Sequence, residues 1–196
     1  MPYDALPLTD PDTAADASAV ASPSTLRELM REVAQPVVVV SGTAGNGDPR
    51  PVAMTVSSVT SVSLDPPLVL FCPSRHSRTW ASLAPTGRFI LNVLTDRQRD
   101  LAAWFGGRLL HALPPDRGDR PPAGSVRWTC VGELPALAGS AAAASCRIVA
   151  VHPGGDHDIV LAAVDQIVLA TGRNGPLSYW RGGYATVRTV GRDPSC

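Results

Sequence analysis

The sequence predicts a mainly β protein, an antiparallel β-barrel with a few short helices attached to it. Three observations predict this class. The apolar segments are mostly short and rich in Val and Ile, as strands are. These segments follow one another without regularly alternating helices, which argues against a doubly wound parallel sheet. No GxGxxG sequence lies at a strand–helix junction, so the usual dinucleotide site of such a sheet is absent.

The composition is that of a globular protein. Of 196 residues, 44% are hydrophobic, and 17 basic residues balance 17 acidic ones, so a nucleic-acid partner is not expected. The four cysteines form no CxxC pair and have no His at ligand spacing, so no metal site is expected. We find no signal-peptide pattern and no apolar run of the roughly 20 residues that a membrane span needs. We therefore expect a cytoplasmic protein without a membrane partner.

The chain is expected to fold as one domain between two tails. Residues 1–22 contain several Asp but no Lys or Arg, and they predict a disordered N-terminal arm. Residues 23–188 contain the helix and strand patterns and form the predicted domain. Residues 189–196 form a short tail. Within the domain, residues 108–122 are rich in Pro, Gly and charge and predict an irregular excursion.

The first part of the domain predicts a helix followed by strands. SPSTLRELMREV predicts a short helix that Ser24 or Thr25 caps, and Pro36 follows its end. The β-branched run of residues 37–42, VVVVSG, predicts a strand buried on both faces, and residues 43–51 predict a turn. VAMTVSSVTSVSL predicts a strand that continues into a loop. After DPP, PLVLFC predicts the next strand.

The second part adds two helices and more strands. SRHSRTWASLAPTG predicts a loop that opens a short helix, RFILNVLT a strand, and DRQRDLAAWFGG a helix with Leu101, Trp104 and Phe105 at helical spacing. From residue 126 onward the pattern is again that of strands. The PGGD turn between SCRIVAVH and HDIVLAAVDQIVLA indicates a hairpin. Cys72 and Cys146 follow small or apolar residues and are interpreted as buried packing thiols.

A row of hydroxyl side chains distinguishes the segment MTVSSVTSVSLDPPLVLFC. From Thr55 to Ser63, Ser and Thr alternate with Val rather than with the Gly, Asn and Asp of ordinary loops. Hydroxyls and backbone N–H groups of an irregular strand can bind the carbonyls and ring nitrogens of a flat heteroaromatic ligand. A Ser/Thr-rich edge strand facing water is the alternative, and composition alone favours it.

Three further segments carry polar groups suited to a ligand, each with a plain alternative. SRHSRT, residues 74–79, places Arg and hydroxyl groups beside a predicted helix start. This arrangement suits a phosphate, and the alternative is a solvated basic loop. GGDHD, residues 154–158, holds a His between two Asp. This His could serve in acid–base chemistry or stack on a ligand, and the alternative is a plain polar turn. GPLSYWRGGY, residues 175–184, has aromatic, Arg and Gly residues that could close a pocket. The alternative is an edge strand that packs Tyr179 and Trp180 on the barrel.

Taken in order, these segments resemble the flavin reductase-like family, the small FMN-binding split-barrel proteins that serve two-component flavin monooxygenases. The matching segments are RPVAMTVSSVTSVSLDPPLVLFCPSRHSRTWASL, RFILNVL, GDH and PLSYWRGGY, and they cover about residues 25–188. The resemblance implies a homodimeric antiparallel split β-barrel. It also implies a flavin, FMN or alternatively FAD, and NADH or NADPH as the reductant.

The resemblance further implies where these cofactors bind. The flavin would lie against residues 55–58, its phosphate near residues 72–79, and the GDH turn would contact the nicotinamide. His157 is the expected catalytic residue, in a positioning role rather than as an obligatory base. The expected cofactor-binding residues are Thr55, Val56, Ser57, Ser58, Ser61, Val62, Cys72, Ser77, Arg78, Thr79, Asn92, Val93, Gly155, Asp156, Arg181 and Tyr184.

By this resemblance the chain would be an NAD(P)H:flavin oxidoreductase that supplies reduced flavin to a partner monooxygenase. Frequent Ala, Arg and Pro with few Lys suggest a high-GC bacterial source and a biosynthetic context. One departure motivates an alternative. AAAASC stands where family members often have an aromatic–acid pair. This small-residue run could widen a cavity or loosen subunit packing, so that the barrel could act directly on a small organic substrate. A non-catalytic flavin-binding or carrier protein is the third hypothesis.

Overall fold

The computed structural model describes residues 21–45, 50–107, 126–172 and 174–188. The predicted arm up to residue 20, the predicted excursion and the predicted tail lie outside the described residues. Three α-helices, two short 3-10 helices and twelve strands occupy the described part. They are α1 Pro23–Glu32, β1 Gln35–Pro36, β2 Val38–Thr43, β3 Pro51–Val56, β4 Thr60–Leu64, β5 Pro67–Phe71, α2 Arg78–Leu83, β6 Arg88–Val93, α3 Arg99–Phe105, β7 Trp128–Val131, β8 Leu134–Leu137, β9 Ala142–Gly154, β10 His157–Leu169, β11 Leu177–Trp180 and β12 Gly183–Thr186.

Every strand pair is antiparallel, as predicted. Seven strands form the main sheet in the order β3-β2-β6-β9-β10-β5-β4. A three-stranded sheet, β1-β11-β12, and the β7–β8 hairpin accompany it. The predicted hairpin at PGGD is the longest pairing in the structure, between β9 and β10.

The main sheet must curl into a barrel because of one short connection. β3 and β4 lie at opposite edges of the sheet, yet only residues 57–59 separate them. The four Cα steps from Val56 to Thr60 span at most about 14 Å, whereas the outer strands of a flat seven-stranded sheet lie about 29 Å apart. Ser58 ties this connection to the chain just after β5: its hydroxyl accepts a hydrogen bond from the Cys72 N–H at 2.8 Å and donates to the Cys72 carbonyl at 3.2 Å. Among the described strands, β3 and β4 form no ladder with each other, so the barrel closes at this seam through the short connection rather than through strand pairing.

The strand predicted to be buried on both faces, β2, separates two hydrophobic clusters. Val38 and Val40 point into the barrel, where they pack with Phe71, Phe89 and other apolar residues. Residues 37 and 39 point the other way, into a cluster that α3, β8 and β11 cover. Side chains alternate across a strand, so a continuous Val run supplies both clusters at once.

Two local predictions about hydroxyl residues are wrong. Ser22, not Ser24 or Thr25, caps α1: its hydroxyl accepts from the Thr25 N–H at 3.2 Å, and the Thr25 hydroxyl accepts from the Ser22 N–H at 2.8 Å. The hydroxyl row is also not one strand, because β3 ends at Val56 and β4 begins at Thr60. The row changes from one edge of the sheet to the other within three residues.

Part of the small-residue run AAAASC packs against the β7–β8 hairpin. Ala143 is 8% exposed and lies in a cluster with Ile90 of β6 and Val131 and Ala136 of the β7–β8 hairpin. Small side chains on β9 let this hairpin approach the sheet, and the hairpin fills the space that larger side chains would take.

Asn92 ties three strands together in the interior. Its side-chain amide donates to the Val39 carbonyl at 2.8 Å and to the Ser41 hydroxyl at 2.9 Å, and its oxygen accepts from the Leu137 N–H at 2.7 Å. The side chain has no exposed surface. All of its polar atoms therefore have structural partners.

We expect Asn92→Ala to lower the free energy of unfolding by about 3 kcal/mol, because it leaves the buried Leu137 N–H without a partner and removes two further hydrogen bonds. Urea unfolding at a fixed protein concentration measures the loss. Thr129→Ala, at an exposed strand position, is the control and should change stability by less than about 0.5 kcal/mol. A loss of similar size in both variants would contradict this structural role.

Candidate functional site

The main candidate site is a groove of about 530 Å³ along the seam of the barrel. It runs from the end of β3, past the loop after β5, to the start of β10. The end of α3 forms its other wall. The lining residues are Met54, Thr55, Val56, Ser57, Ser58, Cys72, Pro73, Ser74, Ser77, Phe105, Gly106 and His157.

The groove combines apolar surface with hydroxyl groups. These hydroxyls differ in whether they already have a hydrogen-bond partner in the protein. The Thr55 hydroxyl donates to the Ala102 carbonyl at 2.8 Å, so it anchors α3 to β3. The Ser77 hydroxyl caps α2 by accepting from the Trp80 N–H at 3.1 Å. The Ser57 hydroxyl has no partner among the residues that the structure describes. Ser57 is thus the side chain of the seam best placed to bind a ligand.

The GDH turn lies at the rim of the groove. Gly155, with a φ of 75°, begins the two-residue turn between β9 and β10, and it adopts the left-handed conformation that glycine accepts without strain. Nδ1 of His157 lies 2.8 Å from Oδ1 of Asp156. This hydrogen bond, together with the charge of His157, lowers the pKa of the Asp156 carboxyl. His157 lines the groove with its side chain 44% exposed, whereas Asp156 is 84% exposed.

A smaller cavity of about 180 Å³ extends the groove toward the three-stranded sheet. The two cavities share residues 55–57 and Gly106, and Tyr179 and Tyr184 line the far part of the extension. The two tyrosine rings pack edge to face at 5.5 Å, and the Arg99 guanidinium lies 6.0 Å from the Tyr184 ring. Tyr184 therefore lies near the groove, as predicted for the C-terminal segment.

The structure does not bring several predicted residues to this groove. Ser61 and Val62 lie exposed on the edge strand β4. Asn92 is fully buried and fully hydrogen-bonded, and Val93 packs against the barrel core. These four residues were expected near the flavin from the family resemblance, and none of them is among the residues that line the groove.

Arg181 was also expected near this cleft and lies elsewhere. Its guanidinium pairs with Glu32 of α1, with the Nε atom 2.8 Å from the carboxylate, and covers the Trp180 ring at 4.6 Å. It lines a separate cavity between α1 and the β11–β12 turn. Arg78 and Thr79, expected at the phosphate, lie in the first turn of α2 just beyond Ser77, and neither is among the lining residues.

The cysteines differ from the expectation in one case. Cys146 is buried, and burial, with the nearby Asp165 carboxylate, raises the pKa of its thiol to about 12. Cys72 was interpreted as a buried packing thiol, but it is only partly buried and lines the groove. It lies beyond the end of β5, where the strand reaches the seam.

Sequence reasoning missed the far wall of the groove. Phe105 and Gly106 were interpreted only as the end of a helix, since nothing local places that end against the Thr55 segment. Met54 was not among the expected binding residues either, whereas Pro73 lies within residues 72–79, the segment expected near the phosphate. The hydroxyl pattern at Ser57 and Ser58, the SRHSRT segment with Ser74 and Ser77, and the GDH sequence were local signals that pointed to the groove.

Two classes of site find no support in the described part of the chain. Its His, Cys, Asp and Glu residues form no cluster of three or more that could hold a metal ion. Of its helices, none is long and apolar enough to cross a membrane.

A curled antiparallel barrel with a hydroxyl-rich groove at its seam defines a small-ligand-binding barrel protein. A family model described as a flavin reductase like domain matches residues 30–188. The chain belongs to the flavin reductase-like family. This membership confirms the predicted family and, with the antiparallel sheets described above, the predicted split-barrel fold.

Named relatives agree with this assignment. The chain is 33% identical over 181 residues to the reductase subunit HsaB of a flavin-dependent monooxygenase from Mycobacterium tuberculosis, covering 91% of this chain and 89% of the relative. It is 37% identical over 153 residues to the NADH-dependent FMN reductase AsuE2 of Streptomyces nodosus subsp. asukaensis, covering 78% and 80%. Among solved structures, nitrilotriacetate monooxygenase component B from Mycobacterium thermoresistibile superposes with a TM-score of 0.72 at 30% identity, covering 87% and 93%.

Proposed function

We propose that this chain is an NAD(P)H:flavin oxidoreductase that takes FMN in the seam groove and supplies reduced flavin to a partner monooxygenase. The observation that carries the proposal is that one groove brings together the hydroxyl segment, the loop after β5 and the GDH histidine. Two similar proteins support it by name, one a monooxygenase reductase subunit and one an NADH-dependent FMN reductase.

The groove suits a flavin in size and in chemistry. Its volume of about 530 Å³ lies within the roughly 300–1,000 Å³ of ligand pockets. Met54, Val56 and Phe105 provide apolar surface for a flat ring system, and Ser57 offers a free hydroxyl to its polar edge. Ser74 and Ser77 lie at the end where the phosphate would bind. FMN is the first choice, with FAD as the alternative.

The residues of the groove bind and orient, because the redox chemistry belongs to the cofactors. A bound flavin takes up hydride from a nicotinamide and carries the electrons away. His157, at the rim and only partly exposed, can contact a nicotinamide that approaches from solvent. Holding two rings at reacting distance is a large share of the barrier reduction in such a transfer. We assign His157 this orienting role, with Gly155 and Asp156 shaping the turn that presents it.

The alternative of direct action on a small organic substrate has less support than the reductase. It rested on the AAAASC run, and Ala143 of that run packs against the β7–β8 hairpin. Measuring nicotinamide oxidation distinguishes a flavin carrier without turnover from a reductase.

We propose that two copies of the chain associate through the outer surface of β9, β10 and β4. Apolar side chains there are uncovered, including Leu64 at 91%, Leu169 at 72% and Ile167 at 63% exposure. Large apolar side chains exposed to this extent are typical of protein interfaces rather than of monomers. A homodimer would cover it.

We expect the purified protein to oxidise NADH or NADPH only when FMN or FAD is added, measured as loss of absorbance at 340 nm under air. His157→Ala should raise the KM for the nicotinamide about tenfold, as loss of one good contact would, and leave the flavin Kd nearly unchanged. Flavin binding without nicotinamide oxidation would overturn the proposal in favour of a carrier. Equal losses in both affinities would show that His157 supports the fold instead.

We expect FMN to protect Cys72 from iodoacetamide at pH 8, because Cys72 lines the groove. Cys130, exposed on β7, is the internal control and should react at the same rate with and without flavin. Cys146 should stay unlabelled in the folded protein, because burial raises the pKa of its thiol to about 12 and keeps it protonated. Labelling of each cysteine is followed by peptide mass spectrometry. Equal labelling of Cys72 with and without FMN would mean that the flavin lies elsewhere.

We expect sedimentation at micromolar concentration to give a dimer, and Ile167→Asp to give a monomer, because a charge would be buried in the interface. Val187→Asp is the matched control, since Val187 is similarly apolar and 51% exposed but lies after β12. A wild-type monomer, or a dimer that survives Ile167→Asp, would contradict this interface.

A further inference from the structure

The two segments that face each other across the groove are joined by backbone hydrogen bonds. The Arg75 N–H donates to the Asp156 carbonyl at 3.0 Å, and the Asp158 N–H donates to the Pro73 carbonyl at 3.0 Å. A bridge between Ser74 and His157 lies between these two bonds. The loop after β5 and the GDH turn therefore form one unit at the rim of the groove.

Side chains on β10 alternate, so His157 and Asp158 serve opposite sides of this unit. His157 lines the groove, whereas Asp158 points toward α2. Oδ2 of Asp158 accepts a hydrogen bond from the Trp80 indole N–H at 2.9 Å. Oδ1 lies 3.5 Å from Nε of Arg75, which is in the loop itself. One carboxylate thus contacts both the loop and the helix that follows it.

Trp80 is a rigid anchor for that carboxylate. Its side chain is 4% exposed and packs edge to face on Phe71 at 5.7 Å, inside the barrel core. A buried indole N–H needs an acceptor, and Asp158 provides it. The start of β10 is thereby fixed to the core, although the turn beyond it is exposed.

We propose that Asp158 is a positioning residue that holds His157 in register with the loop of Ser74 and Ser77 through Trp80 and Arg75. This inference rests on the proposed function, in which the loop holds the flavin phosphate and His157 orients the nicotinamide. Asp158 is not among the residues that line the groove. It fixes the relative placement of the two segments that do.

Asp158→Ala should raise the KM for NADH or NADPH about tenfold, the loss expected when a charge-assisted hydrogen bond is removed, with kcat and the flavin Kd changed by less than about twofold. Trp80→Phe should reproduce the effect, because it keeps an aromatic ring on Phe71 but removes the donor. Asp158→Asn should restore most of the wild-type KM, because the amide oxygen can still accept from Trp80.

The matched control is Asp165→Ala. Asp165 lies on the same strand and also forms a 3.5 Å pair with an arginine, Arg88, but that pair lies away from the groove. Its removal should leave the KM unchanged. A KM rise in this control as large as in Asp158→Ala would overturn the proposal.

A readout independent of turnover is amide hydrogen exchange without cofactors. Peptides covering residues 153–158 should exchange faster in Asp158→Ala and Trp80→Phe than in the wild type and in Asp165→Ala. In addition, Asp158→Ala made in the His157→Ala background should cause no further rise in KM, because Asp158 acts through His157.

The outcomes separate this inference from the proposed function. If the wild type oxidises no nicotinamide, the proposed function fails, while faster exchange in the turn would still establish the positioning of His157. If the wild type is active and Asp158→Ala changes neither the KM nor the exchange of residues 153–158, the positioning role is overturned. A fall in melting temperature with unchanged KM would likewise overturn it in favour of a merely structural role.

Discussion

The short connection of residues 57–59 is the constraint on which the rest of the structure depends. It joins two strands at opposite edges of a seven-stranded sheet, so the sheet must close on itself. Closure brings the Ser58 hydroxyl onto the backbone of Cys72, and no strand pairing completes the seam. Polar groups at such a seam are not all used by a β-ladder, so a ligand can use them. The binding groove is a consequence of how the barrel closes.

The same closure determines what covers the barrel. With β2 in the sheet, its Val run has one face inside the barrel and one outside, and the outer face needs its own cover. α3, β8 and β11 supply it, and the Thr55 hydroxyl ties α3 to the seam through the Ala102 carbonyl. The end of α3 then becomes the second wall of the groove. Core packing and site construction thus use the same elements.

Local sequence patterns predicted most elements but not their neighbours in space. Alternation and β-branching identified β2, and PGGD identified the β9–β10 hairpin, because both signals lie within a few residues. Asn92 shows where such signals end. The family resemblance placed it beside the flavin ring, whereas its hydrogen bonds to residues 39, 41 and 137, which are distant in sequence, could not be predicted from the local pattern. Asp158 is the converse case. It flanks the GDH motif, and its hydrogen-bond partner, Trp80, is far away in sequence.

The groove offers hydroxyls and a half-exposed histidine rather than buried fixed charges. Ser57, Ser77 and His157 contribute polar groups without a full ionic cage, and the chain as a whole has no net charge. A cofactor bound mainly by neutral hydrogen bonds and apolar contact is held less tightly than one bound by buried ion pairs. That balance would suit the release of reduced flavin that the proposed function includes. Weakly held rings react only if they are positioned accurately. The two segments that orient the rings must therefore keep their relative placement. For this reason the backbone bonds between residues 73–75 and 156–158 matter more to the proposed chemistry than any single group in the groove.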